Sequence, residues 1–128
     1  MVAMFDDTTR SMVSKYPRVL VVHDASYDLG ECYAALRKRY IVRTAVTIAE
    51  AAEIVRETDI RCVVGVVGGS VRARALVEAF GAGGRLALLR TSETFPDDDV
   101  FLLTETPRFP LLSSVPEEFI AGVSAVVG

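Results

Sequence analysis

Short apolar runs alternate with helix-forming segments along this chain, and that alternation leaves few folds open to it. Arg18-Val19-Leu20-Val21-Val22 and Cys62-Val63-Val64-Gly65-Val66-Val67 are near-continuous in apolar side chains. Such runs mark strands buried on both faces, whereas strands with one wet face alternate apolar and polar residues. Further strands are expected at 41–46, at Leu86-Ala87-Leu88-Leu89 and at Val100-Phe101-Leu102-Leu103. The segments between them carry helical spacing. Leu29, Cys32, Tyr33, Leu36 and Tyr40 share one helical face, with Ser26 expected as cap and Asp28 in the first turn. Thr47 and Glu50 have capping-box spacing, which predicts a second helix with Ile48, Ala51, Ala52 and Val55 inward. Ser70 caps a third, whose stripe is Ala73, Leu76, Val77 and Phe80, stopped by Gly81-Ala82-Gly83-Gly84. A last helix is expected from Ser114, with Glu117 closing a capping box and Phe119, Ile120, Val123 and Val126 facing in.

Strands alternating with helices imply a parallel sheet covered on both faces. The expected fold is therefore α/β, a doubly wound five-stranded parallel sheet. One crossover departs from the pattern. With a strand at 100–103, only residues 92–99 join the fourth strand to the fifth, and a parallel crossover takes about a dozen or more. The fourth helix is expected to be shortened or missing. Residues 1–16 show no period and read as an N-terminal extension, leaving 17–128 as one domain.

Composition narrows the functional classes. A chain of 128 residues buries about two-thirds of its unfolded surface, enough for a core without metal or disulfide. With 51% hydrophobic and 24% charged residues it is an ordinary globular sequence. A net charge of −3 argues against direct nucleic-acid binding, which normally needs a basic face. The basic group Arg37-Lys38-Arg39, with Arg43 nearby, reads as solvated cations at a helix C-terminus. Cys32 and Cys62 have no metal-ligand spacing and read as buried thiols in a reducing cytosol. The first residues lack the basic and apolar regions of a signal peptide, and no apolar run is long enough to span a bilayer. A cytoplasmic location and no membrane contact are expected.

The ends of the strands carry the residues of interest. His23-Asp24 follows the first strand and Thr91-Ser92 the fourth, while Thr106-Pro107 lies beyond the fifth. In this layout the chain resembles a bacterial response-regulator receiver domain, a flavodoxin-like (CheY-like) fold. The resemblance spans about residues 17–127. It implies a phosphorylation site built from two acids after the first strand, an Asp after the third, a hydroxyl after the fourth and Lys-Pro after the fifth. Here His23 replaces the first acid and Asp24 keeps the second. Thr91 supplies the hydroxyl, and Thr106-Pro107 stands nearest the Lys-Pro position, whose bond is usually cis in the family. The acceptor is absent: from Ile60 to Val77 there is no Asp or Glu, and Gly68 stands where it would fall.

Phosphoryl transfer needs a nucleophile, a metal and cations to balance the transferred group's charge. One acid and one hydroxyl do not supply these, so His23, Asp24, Gly68, Thr91 and Thr106 form a vestigial site. Asp24 reads otherwise as a carboxylate accepting N–H groups at a helix start, His23 as a hydrogen-bonded imidazole, and Gly68-Gly69-Ser70 as a tight turn. Asp97-Asp98-Asp99 reads as a solvated loop. With one histidine in the chain no acid–base set assembles, and neither catalysis, cofactor nor metal is expected.

The resemblance thus implies a pseudo-receiver, similar to the inactive N-terminal receivers of bacterial transcriptional activators. It would act by contact with a protein partner or an output domain, with a homodimer as one form. The surface expected for this is the shortened fourth crossover, with Phe95, Phe101 and Phe109 as aromatic anchors. The rival reading is a flavodoxin-like sensor of a small molecule or nucleotide, bound at the carboxyl ends of the strands.

Overall fold

The computed structural model describes residues 16–24, 29–67, 72–91 and 109–128. Strands β1 (Arg18–Val22), β2 (Ile41–Ala45), β3 (Cys62–Val67), β4 (Leu86–Arg90) and β5 (Leu111–Leu112) form one sheet. Every pairing is parallel, and the spatial order is β2-β1-β3-β4-β5. This is the flavodoxin-like, CheY-like order, in which the chain reverses its direction of travel between β1 and β3.

The central strands β1, β3 and β4 are apolar nearly throughout because both of their faces are covered. Leu20, Val22, Val63, Val67, Leu86 and Leu88 point to one side. There they meet α2 (Ile48–Glu57) through Ala51, Ile48 and Ile54, and α3 (Ala73–Phe80) through Ala73, Leu76, Val77 and Phe80. Val19, Val21, Cys62, Val64, Val66, Ala87 and Leu89 point to the other side. That layer is closed by α1 (Glu31–Arg39), through Cys32 and Leu36, and by α4 (Pro116–Val127), through Phe119, Ile120 and Val123. Phe119, Leu36 and Leu76 are fully buried, and burying such a side chain is worth about 1.5–3 kcal/mol each.

Two polar ties join α1 to α4 and its entry. The Cys32 thiol donates to the Ser114 carbonyl at 3.2 Å, and the Tyr40 and Ser124 hydroxyls lie 2.8 Å apart. Thr47 caps α2 as expected: its Oγ1 accepts the Glu50 N–H at 3.1 Å. The Glu50 carboxylate reaches back one residue further than a capping box requires, to the Val46 N–H at 2.9 Å.

Several expectations need correction. On α2, Ala52 and Val55 are exposed and Ile54 packs inward instead. The helix is rotated so that Ile48, Ala51 and Ile54 follow a tighter three-residue spacing onto the side of the sheet formed by β1 and β2. The last helix starts at Pro116, not at a Ser114–Glu117 box; its N-cap is Val115, whose N–H is taken by the Ser113 hydroxyl at 3.0 Å. Proline at the first helical position loses no bond, since that N–H has no helical partner. The caps expected at Ser26 and Ser70 lie outside the described residues, and the observed N-caps are Gly30 and Arg72.

The fifth strand brings the largest change. The strand expected at 100–103 lies outside the described residues, and Leu111–Leu112 pairs with Leu88 and Leu89. The connection after β4 therefore runs from Thr91 to Pro110, long enough for a helical crossover, which removes the argument from shortness. The expected loss of its helix falls on residues 92–108, outside those described. Phe109, at the end of this connection, is 6% exposed and packs with Leu86, Leu88 and Leu76 in the core. The expectation of an exposed aromatic anchor at Phe109 is thereby corrected. Phe95 and Phe101 lie outside the described residues.

Candidate functional site

In a doubly wound sheet the crevice for ligands or chemistry opens at the carboxyl ends of the strands, where the winding reverses. Here that point lies between β1 and β3. His23 and Asp24 leave β1 directly into it, and both are half-buried. The His23 N–H donates to the Ala45 carbonyl at 3.0 Å, which extends the β1–β2 ladder by one bond. Its Nδ1 lies 2.8 Å from the Asp24 carbonyl oxygen. A carbonyl only accepts, so Nδ1 carries the proton and is spent on its own neighbour.

Thr91 leaves β4 on the far side of β3. Its N–H donates to the Val67 carbonyl at 3.2 Å and its hydroxyl to the same oxygen at 3.0 Å. The last carbonyl of β3 thus receives two donors from one residue. The register pairs Val22 with Gly65 and Val67 with Arg90, so that carried forward it sets Asp24 level with Val67. Asp24 and Thr91 stand on strands separated by β3, two ladder spacings or about 10 Å apart in backbone.

The structure therefore brings His23, Asp24 and Thr91 to one end of the sheet, around the carboxyl end of β3. Gly68 and Thr106 lie outside the described residues, as does the Thr106–Pro107 bond. The Val67 carbonyl escaped sequence reasoning. Its role is a backbone one, and an apolar strand residue gives no signal of it.

The chemistry open to this arrangement is limited. β3 presents Val66 and Val67 at its end, followed in sequence by Gly68-Gly69-Ser70, so no carboxylate stands at the acceptor position. Among the described residues no three His, Cys, Asp or Glu side chains gather as a metal site. The cysteines lie elsewhere. Burial pushes the Cys62 thiol up to about 12, and burial, then the nearby Glu31 carboxylate, raises that of Cys32. Neither is a ready nucleophile, because the thiolate is the reactive form.

The parallel five-stranded order with helices on both faces is a flavodoxin-like, CheY-like fold. The chain is similar to the crystal structure of the anti-anti-sigma factor PhyR from Bartonella quintana, with a TM-score of 0.61 and 13% sequence identity. The match covers 94% of this chain and 51% of that one, so the chain spans about half the length of this neighbour. At such identity the likeness establishes the shared fold. No protein-family model matches the sequence, and no curated protein matches it. No described helix is long and apolar enough to cross a membrane.

Proposed function

We propose that the chain is a phosphorylation-independent pseudo-receiver, a cytoplasmic module that regulates bacterial signalling or transcription through contact with a protein partner or an output domain. One observation carries this reading: a receiver-type sheet whose third strand ends without a carboxylate. Asp24 and Thr91 remain at the strand ends, but a site without its nucleophile has no group to take up phosphate. The structural neighbour is a regulator by its title, which supports a regulatory role in place of catalysis.

The contact surface on this reading includes the edge of the sheet at β5. Leu111 is 52% exposed and Val115 is 45% exposed, two large apolar side chains on one short stretch before α4. Phe95 and Phe101 belong to the preceding connection and stay in the proposal as further anchors. Self-association through this edge would give a homodimer.

The test uses amide NMR spectra of the full chain with Mg²⁺ and beryllofluoride, which mimics an acyl phosphate on a receiver. The proposal expects unchanged spectra. Shifts centred on β3 and β4 that saturate with beryllofluoride would contradict it. The sensor reading, which places a ligand at the switch point between β1 and β3, instead expects a saturable thermal shift with a nucleotide.

A further inference from the structure

The amino-terminal end of the sheet, opposite the vestigial site, holds two arginines that the fold forces together. The Arg61 N–H donates to the Arg18 carbonyl at 2.9 Å, one residue before the Val19–Cys62 pair of β1 and β3. Arg18 and Arg61 therefore stand side by side on neighbouring strands, and like charges so placed repel. Asp59 borders the same cleft, but the Arg85 guanidinium lies 3.7 Å from it, and the same Arg85 donates to the Ile60 carbonyl at 3.1 Å. Among the described residues neither Arg18 nor Arg61 makes an ion pair.

The two arginines line a cleft of about 340 Å³ together with Tyr16, Pro17, Asp59, Val127 and Gly128. That volume falls within the range of small-ligand sites, about 300–1,000 Å³. A guanidinium offers a planar fork of donors that matches phosphate or carboxylate oxygens, and two adjacent forks match an anion with oxygens on more than one side. A tetrahedral phosphate group presents these; one carboxylate fills one fork only. We propose that Arg18 and Arg61 form a binding cleft for the phosphate group of a small phosphorylated molecule. The cleft lies at the far end of the sheet from Asp24, so its fate in experiment is independent of the pseudo-receiver reading.

The experiment is calorimetric titration of the full chain with inorganic pyrophosphate at low ionic strength, where screening is weak. The proposal expects saturable binding at one site, weakened about tenfold or more by Arg61→Ala and by Arg18→Gln, as loss of a charge-assisted bond implies. Arg61 is exposed, so Arg61→Ala is expected to melt with wild-type stability, which separates lost binding from lost fold. Arg56→Ala, a cation on α2 outside the cleft, is expected to bind as wild type does. Absence of saturable binding would overturn the proposal, as would equal weakening by Arg56→Ala. Malonate binding as tightly as pyrophosphate would overturn the assignment to phosphate.

Discussion

Thr91 gives both its backbone N–H and its hydroxyl hydrogen to the carbonyl of Val67, at 3.2 and 3.0 Å. The Thr91 hydroxyl is bound to the end of β3 itself. Thr91 thus works as a clasp between β3 and β4. Thr91→Val removes one of the two donors while the N–H still satisfies the Val67 carbonyl, so the loss is expected to be about 0.5–1 kcal/mol. Thr91→Ser keeps the hydroxyl and is expected to stay closer to wild type. Urea denaturation of the two variants measures the difference.

Gly65 sits in the middle of β3, fully enclosed, and Leu76 of α3 fills the space where a side chain would be. A Cβ at Gly65 would lie 2.6 Å from Leu76 Cδ1, 3.1 Å from Cδ2 and 3.3 Å from Cγ. The whole isobutyl group would have to shift within the core. Gly65→Ala is expected to destabilise by about 1–3 kcal/mol. Leu76→Ala alone opens a cavity and is expected to cost about 2–5 kcal/mol. Because the two changes share one space, the double variant should be more stable than the sum of the single losses predicts. A strictly additive thermodynamic cycle would contradict the packing described.

Phe109 lies against Gly81, whose Cβ would fall 3.0 Å from the ring's Cζ. The ring anchors the end of the Thr91–Pro110 connection to the layer formed by α2 and α3. Phe109→Ala is expected to cost about 3–5 kcal/mol while leaving any self-association of the folded protein unchanged. Thermal melts and sedimentation velocity on the same samples distinguish a core role from a contact role.

Cys62 carries a pH prediction. Its folded value of about 12 stands above the ordinary 9.0, so the native state holds the thiol proton more tightly than the unfolded chain does. The stabilisation is fully present below pH 9.0 and is lost as the pH rises toward about 12. In that window it falls by up to about 1.4 kcal/mol per pH unit. Comparing the alkaline stability profile with that of Cys62→Ala isolates this share, and the variant's profile should be flatter. At neutral pH, thiol reagents should modify native Cys62 far more slowly than the unfolded chain.

The layered sheet was legible because β1 and β3 are apolar on both faces, a pattern that a half-exposed strand does not show. Cys62–Val67 was placed to the residue, as were the inward residues of α3 and α4. The errors share a cause in local ambiguity. On α2, Ala52 and Val55 are apolar like Ile54, and only the contact with β1 and β2 selects the face. Toward the fifth strand, residues 100–103 carry a stronger strand signal than Leu111-Leu112, whose place comes from pairing with Leu88 and Leu89. The lack of an acid from Ile60 to Val77 could be read from composition alone, since an acid is either in the segment or not. The Arg18–Arg61 juxtaposition could not, because it depends on the register of two strands far apart in sequence.

Whether a phosphoryl group can be transferred covalently to this protein is read most directly from its intact mass. The full chain is incubated with Mg²⁺ and an excess of a small acyl or amido phosphate donor, then weighed intact. The unmodified mass is expected at every donor concentration, because β3 ends at Val67 with no carboxylate to attack phosphorus. A stoichiometric phosphoryl adduct that forms only with Mg²⁺ and is lost in base would contradict it.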